Sequence, residues 1–336
     1  MFIDTFNTNN RTFIVAEIGN NHEGDIEIAK EMIDSAIDCG SDAVKFQTFL
    51  AEEYVSQKYT PERYKQLKKF QLSQNDFIEL FDYAKKSGVI FISTPFDLES
   101  AKFLCNLCPV IKISSSDLTF IPMIIEIAKT NKPIILSTGF HTKSKIESAV
   151  QLIAKYRNVN ANNLAILHCV GNYHTLPKNA NLNTIEYYKS NFQNITIGYS
   201  DHTIGTFASE IAVSKGAQIV EKHFTLDKNF SNFHDHKISA NPSEMKDLVD
   251  KIRLVERYLG SHDKVVNEKE RELKKLIDRK IVSKKELKKG DILKIEDISW
   301  VRLESGIPSG KESLILNKKL NCNLSKGSII SENHVI

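Results

Sequence analysis

The chain reads as an α/β protein, a (β/α)8 TIM barrel followed by a small C-terminal β-rich domain. Three observations lead there. Eight short β-rich runs recur along the first 225 residues, and longer helix-like amphipathic stretches separate them. Beyond residue 260 the composition turns strongly charged, then gives way to short strand signals spaced by glycine turns.

In order, the runs are Phe13–Gly19 (FIVAEIG), Ala43–Gln47 (AVKFQ), Ile90–Phe96 (IFISTPF), Ile111–Ser115 (IKISS), Pro133–Gly139 (PIILSTG), Leu164–Val170 (LAILHCV), Ile195–His202 (ITIGYSDH) and Ile219–Thr225 (IVEKHFT). Between them Ile26–Asp38, Asn75–Ser87 and Thr206–Lys215 carry the apolar spacing of helices, and Gly40, Gly88 and Gly216 suit their C-caps. Near-continuous apolar strands, each followed by a helix, fit a closed parallel barrel covered on both faces. A doubly wound open sheet is the structural alternative, but it has no reason to stop at eight strands.

Pro242–Leu259 reads as a last amphipathic helix and Asp263–Lys275 as a charged connector. The tail carries strand signals at Lys280–Ser283, Lys288–Leu293, Ser299–Arg302 and Ser325–Ile330. KKGDILKIEDI and SKGSIISENHV within it look like a weak internal repeat. About sixty residues form only a small, mostly β module. The expected division is residues 1–262 as the barrel, 263–276 as a linker and 277–336 as the small domain.

With 336 residues, 41% of them apolar and 26% charged, the chain has the composition of an ordinary soluble globular protein. Its 45 basic and 42 acidic residues are intermixed except at 264–290, so no nucleic-acid footprint stands out. The N-terminus lacks a basic segment leading into a long apolar one, and no stretch approaches the length of a membrane span. A cytoplasmic location with no membrane partner is expected. Of five cysteines only Cys105 and Cys108 are closely spaced, and a structural zinc site would need a second such pair. They read as small apolar residues at the end of a helix.

A barrel of this kind carries its active site at the C-terminal ends of its strands, so polar residues there point to function. Nearly every run supplies some: Glu17; Lys45 and Gln47; Lys112 and Ser115; Ser137; Asn172 and Tyr173; Ser200 and His202; Glu221 and His223. Any one of them could be a paired structural residue. Together they form an enclosed set rich in Lys, His and Ser, which makes sense around a phosphate or carboxylate because buried charge is costly without a partner. His202 and His223 end consecutive strands and fall within reach of one metal ion, with Glu17 and Glu221 able to supply or orient oxygen ligands. His168 alternates within an apolar run and reads as a core histidine, while His234 and His236 lie beyond the last strand.

The ordered series EIGNNHEGD (17–25), VKFQT (44–48), STPFD (93–97), KISSSD (112–117), ILSTG (135–139), LHCVGNY (167–173), GYSDHT (198–203), EKHFT (221–225) and DHKISANP (235–242) strongly resembles the sialic acid synthase family. The tail resembles that family's antifreeze-like (SAF) domain. The resemblance implies condensation of phosphoenolpyruvate with N-acetylmannosamine, or a related acylated amino-sugar, to a nine-carbon 2-keto sugar acid and phosphate. It also implies manganese or magnesium as the metal. Residue by residue, His202 and His223 match the metal ligands, and Lys45, Lys112, Ser115, Ser137 and Ser200 match the phosphoenolpyruvate site. Glu17 and Gln47 match positions beside the reacting carbons, and Tyr173 and Asp235 match positions near the sugar.

The resemblance further implies a domain-swapped homodimer in which an arginine of the small domain, here Arg302, enters the partner's sugar site. Two departures stand out. The segment usually reading Arg-Pro-Gly-Thr-Gly-Ile is Arg302-Leu-Glu-Ser-Gly-Ile307, and Gly171 replaces an asparagine that often contacts ligand, with Asn172 as its possible substitute. Sugar choice is therefore open between N-acetylmannosamine and a 2,4-diacetamido-trideoxy sugar, the substrate of a legionaminic-type synthase. The loop Ala51–Leu72, expected to cover the sugar, lacks the tryptophan-rich composition of pseudaminic acid synthases. A non-catalytic carbohydrate- or ice-binding protein is the reading from another class.

Overall fold

The computed structural model describes residues 1–160, 162–261 and 263–336. The barrel boundary expected at residue 262 therefore falls on His262, outside the described residues. The chain divides into two compact units, Met1–Gly260 and Ser261–Ile336.

In the first unit eight parallel strands close on themselves, each beside its neighbour in sequence, with the last returning to the first. They are β1 (Phe13–Gly19), β2 (Ala43–Thr48), β3 (Ile90–Pro95), β4 (Ile111–Ile113), β5 (Ile134–Ser137), β6 (Leu164–Cys169), β7 (Thr196–Asp201) and β8 (Ile219–His223). Strand β4 stops before the end of its apolar run because Ser115–Asp117 winds into a 3₁₀ turn. The Ser114 and Ser116 hydroxyls donate to the Asp117 carboxylate there, at 2.6 and 2.8 Å, and these local bonds compete with strand pairing.

Helices follow the strands. Ile26–Asp38 and Pro242–Leu259 have the expected bounds, whereas the helix expected at Asn75–Ser87 runs from Gln74 to Lys86. That one-residue shift has a physical cause: Ser73 and Asp76 cap each other's backbone reciprocally. Gly40, Gly88 and Gly216 follow their helices with φ of 84°, 80° and 96°.

Alternation along each strand sorts the side chains into two cores. Ile14, Ala16 and Ile18 of β1 face outward and pack with the helices, joined by Met32, Phe91, Leu104 and Ile166. Phe13 and Val15 face inward and fill the lower lumen with Ile92, Ile135, Leu167 and Ile219. A short N-terminal hairpin, Phe2–Ile3 with Phe6–Asn7, adds Met1 and Ile3 to that inner cluster.

The segment after β2 contains two helices, Ala51–Tyr54 and Pro61–Phe70. Their apolar faces form a separate cluster of Phe49, Ala51, Leu67 and Phe70 with Phe233. Phe70 meets Phe233 edge-on, with ring centroids 5.1 Å apart. This cluster pins the loop beside the C-terminal end of the barrel.

The second unit packs Ile281, Leu287, Leu293, Ile298, Ile315 and Ile330 around one antiparallel pair, Arg279–Ser283 with Ile298–Arg302. The signals at Lys288–Leu293 and Ser325–Ile330 form isolated bridges, Ile292 with Lys319 and Val282 with Ile329, and no continuous strand. The charged stretch expected as a linker contains a helix, Glu268–Ile277, because Asn267 and Glu270 cap its start reciprocally. Among the described residues, no helix is long and apolar enough to cross a membrane.

Candidate active site

Above the apolar lower lumen the same inward rows become charged. Register sets Glu17 of β1 beside Lys45 of β2, and Glu221 of β8 beside Ser200 of β7. The Lys45 ammonium lies 2.8 Å from Glu17 Oε2 and 3.6 Å from Glu221 Oε2, and it donates to Thr94 Oγ1 at 3.0 Å. Lys112 Nζ donates to Ser137 Oγ at 2.7 Å and lies 3.9 Å from the same Glu221 oxygen. Ser200 donates to the other Glu221 oxygen at 2.9 Å. All four charged groups are buried. Two ammonium groups facing two carboxylates make that burial tolerable without making it a source of stability.

The two glutamates are driven apart. Burial would raise both, yet the ammonium groups of Lys112 and Lys45 overrule it at Glu221 and hold that carboxyl at about 2. At Glu17 burial wins over Lys45, and the negative Glu221 adds to it, so this carboxyl sits above the usual range. Burial likewise lowers Lys112 against the pull of Glu221. Two carboxyls with opposite shifts are the mark of a site that separates a proton carrier from a fixed charge.

Glu17 is also oriented. Gln47 Nε2 donates to its Oε1 at 3.1 Å, and Asn20 Nδ2 donates to Gln47 Oε1 at 2.7 Å. This geometry depends on an irregularity between Glu17 and Gly19, where the pairing with β2 slips by a residue. Gly19 has φ of 57°, and a Cβ there would stand 3.1 Å from the Gln47 amide and 3.2 Å from the Glu17 carboxylate.

At the ends of β7 and β8 the rings of His202 and His223 lie 5.5 Å apart between centroids. His202 Nδ1 donates to the Val170 carbonyl at 2.8 Å, which leaves Nε2 free to meet a ligand; burial opposes a charge on the ring, but Cys169, that carbonyl and Glu221 together raise it to about 9. Burial pushes His223 down to about 3, so its imidazole stays neutral, and its Nδ1 is buried without a hydrogen-bond partner. Asp235 Oδ2 lies 4.0 Å from that nitrogen, and the Tyr173 hydroxyl lies 3.4 Å from His223 Nε2.

An orphaned buried nitrogen on the neutral His223 ring, with the His202 ring beside it, fits a divalent ion that would displace the His202 proton on binding. Among the described residues no group of three or more His, Cys, Asp and Glu surrounds one point. An ion held here would draw its protein donors from the two imidazoles, with oxygen from water or substrate completing its coordination sphere.

One cavity gathers Glu17, Lys45, Gln47, Lys112, Ser115, Ser137, Tyr173, Ser200, His202, His223 and Asp235, which is nearly all of the expected set. Ser115 Oγ accepts from the Gly139 amide at 2.9 Å, tying the β4 loop to the β5 loop. Asn172 does not line this cavity; it is exposed and borders an adjoining depression with His141, Lys143 and Asn181. Arg302 lies in the second unit, exposed at a strand end opposite Arg279. His168 is a satisfied interior residue, its Nε2 2.8 Å from the Ala180 carbonyl.

The cavity also contains residues that the sequence did not assign to it. Tyr54 and Arg63 come from the helical loop after β2, with Tyr54 stacked on Phe96 at 4.7 Å. Phe140, Phe233 and His234 complete the mouth. Helical spacing in PERYKQLKKF was a usable signal for the loop, but nothing in it tells which face meets the cavity.

The NeuB family model matches residues 32–264, and the SAF domain model matches residues 279–336. An uncharacterized protein of Methanocaldococcus jannaschii is 44% identical over 95% of this chain and 93% of its own length. The N,N'-diacetyllegionaminic acid synthase of Legionella pneumophila is 36% identical over 96% of this chain and 94% of its own length. Among solved structures, an N-acetylneuraminic acid (sialic acid) synthetase from Leptospira borgpetersenii superposes with a TM-score of 0.74 at 34% identity. It covers 79% of this chain and 90% of that one.

Proposed function

The chain belongs to the NeuB family of sialic acid-type synthases, C–C bond-forming transferases, and on that premise we propose the reaction its barrel carries out. It condenses phosphoenolpyruvate with an acylated amino-sugar to a nine-carbon 2-keto sugar acid and phosphate in the cytoplasm. N-acetylmannosamine is the first candidate sugar. A 2,4-diacetamido-trideoxy-mannose is the second, favoured by the name of the Legionella relative. The observation that carries the reading is the opposed pair of glutamates set among Lys45, Lys112 and the serines.

Lys112, Ser115 and Ser137 receive the phosphate, and Lys45 and Ser200 the carboxylate, through charge-assisted hydrogen bonds. Tyr173 and Asp235 hold the open-chain sugar so that its aldehyde carbon faces C3 of the enol. A manganese or magnesium ion held by His202 and His223 would polarise that aldehyde. As the C–C bond forms, Glu17, whose hold on a proton burial strengthens, passes a proton to the aldehyde oxygen. Water then adds to the cationic C2 and returns one proton to Glu17; the resulting hydroxyl becomes the C2 carbonyl as the C2–O bond to phosphate breaks, and its proton leaves with the phosphate. One water enters and one phosphate leaves, so the carboxyl ends each turnover as it began. We further propose that two copies pair so that Arg302 serves the sugar site of the neighbouring barrel.

The test is phosphate release from phosphoenolpyruvate by the purified protein with each sugar and manganese or magnesium. The expected result is metal-dependent release with one of the two sugars, lost in His202→Ala and His223→Ala. Sugar binding that survives both changes, with no turnover in the unaltered protein, would instead identify a carbohydrate-binding protein.

A further inference from the structure

Behind the two imidazoles lies a buried ion pair that the condensation does not use. Side chains alternate along β7 and β8, so Ser200, Glu221 and His223 line the cavity while Asp201 and Lys222 turn to the other face, toward the helix Phe207–Ser214. Register sets Lys222 beside Asp201, and the ammonium lies 3.3 Å from Asp201 Oδ2. Their side chains are only 1% and 0% exposed.

The carboxylate is fully engaged. Its Oδ1 accepts from the Thr203 amide at 2.8 Å and from the Tyr199 hydroxyl at 3.2 Å, and its Oδ2 accepts from the Ser209 hydroxyl at 2.8 Å. Lys222 Nζ also donates to the Thr203 carbonyl. These bonds enclose His202: Asp201 and Thr203 flank it in sequence, the carboxylate of one holds the amide of the other, and Lys222 holds both. Lys222 itself precedes His223. One ammonium thus ties the turn that presents the first imidazole to the strand end that presents the second.

A buried ion pair is a poor source of stability, since desolvation of the two charges offsets their attraction. What a fully satisfied network supplies is a fixed arrangement. Two imidazoles that share one ion need that, because their nitrogens must meet it at about 2 Å and tolerate errors of only ~0.5 Å. We propose that Asp201 and Lys222 are positioning residues for the divalent ion, a clamp that holds His202 and His223 at the spacing one ion requires without touching the ion or the substrates. The assignment rests on the metal role proposed above and adds residues that serve it from outside the cavity.

The test is manganese affinity, read from the free-ion electron paramagnetic resonance signal as the metal-stripped full chain is titrated, beside phosphoenolpyruvate affinity measured by calorimetry without metal. Lys222→Met should weaken manganese binding by ~10-fold or more, the range for losing a group that orients a metal ligand, and leave phosphoenolpyruvate affinity within about twofold. Removing a positive charge would by Coulomb attraction alone strengthen cation binding, so a weakening reports geometry. The double variant Asp201→Asn/Lys222→Met leaves no charge unpaired, so it should recover most of the melting temperature that Lys222→Met loses without recovering manganese affinity. If Lys222→Met does not fold, the double variant and Asp201→Asn, which keeps an acceptor for the Thr203 amide, carry the comparison. Manganese affinity within about twofold of the parent in the folded variants overturns the clamp and leaves the metal site standing. So do losses of manganese binding, phosphoenolpyruvate binding and stability that rise and fall together. A parent chain that binds neither manganese nor magnesium overturns the metal role, and the clamp with it.

Discussion

The lower and upper halves of the barrel lumen are built from the same inward rows of the same strands, yet they have opposite chemistry. On β1 the row runs Phe13, Val15, Glu17; on β8 it runs Ile219, Glu221, His223; on β5 Ile135 gives way to Ser137. One step along the strand separates side chains that gain by leaving water from side chains that pay for it. The lower half stabilises the fold by packing. In the upper half every charge needs a partner to be tolerable, and in the proposed reaction a bound phosphate and carboxylate would use the same groups. Two regions with equal burial thus make different predictions for stability and turnover.

The sharpest way to break that contrast is Lys112→Ala. The ammonium is bonded to Ser137 and stands beside Glu221, which keeps Lys45 as a second partner at 3.6 Å. Turnover of phosphoenolpyruvate should fall by ~10³-fold, the cost of losing a preorganised charge in a dry site, while the fold survives. Near-normal kcat/KM in steady-state phosphate release would show that the upper layer is structural after all.

Leu167→Ala probes the other half. Its side chain is fully buried in the lower lumen, so truncation should cost about 2–5 kcal/mol of unfolding free energy, read from urea titrations. The kcat of the folded fraction should stay within about twofold of the parent, because no atom of that layer meets the cavity. A large fall in kcat at full folding would mean that the two halves are mechanically one.

Acid should find the upper end first, since the side chains of the lower cluster include no titratable group. His22, in the loop leaving β1, is buried, its Nδ1 accepts from the Gly24 amide at 3.0 Å, and burial pushes it down to about 4. The unfolded chain binds a proton there near 6.5 and the folded one does not, so stability is lost as pH falls from about 6.5 to about 4. The 2.5-unit difference corresponds to about 3 kcal/mol. His22→Asn keeps an acceptor for Gly24 and should flatten that slope in urea unfolding at pH 7 and pH 4.5. An unchanged slope would assign the acid sensitivity to other groups.

How much of this was legible beforehand follows the same division. Strand alternation is a local property, so the eight runs and the polar residues at their ends could be read directly, and eleven of the thirteen expected site residues share one cavity. Tyr54, Arg63 and Phe233 reach the mouth through the packing of Phe70 on Phe233, a contact between residues far apart in sequence that no local pattern encodes. Glu221 was the nearer miss as an assigned site residue. Period two from His223 puts it in the inward row, but its anchoring of both lysines depends on register across three strands. In the tail, glycine turns at Gly290 and Gly327 break short apolar runs into single bridges, a distinction that propensity alone does not make.

The smallest expected effect tests where the upper layer ends. Asn172 neighbours Gly171 in sequence and was expected to stand in for an asparagine there, but a one-residue offset in a loop changes the direction of a side chain. Here it borders the depression with His141 and Lys143, on the far side of the Phe140 ring from the lysines and glutamates. Asn172→Ala should therefore alter kcat/KM for the sugar by less than about twofold and leave KM for phosphoenolpyruvate unchanged, the range of an exposed substitution away from bound substrate. A tenfold rise in the sugar KM alone would instead extend the binding surface past Phe140 into that depression, and the ring would then divide one continuous sugar site.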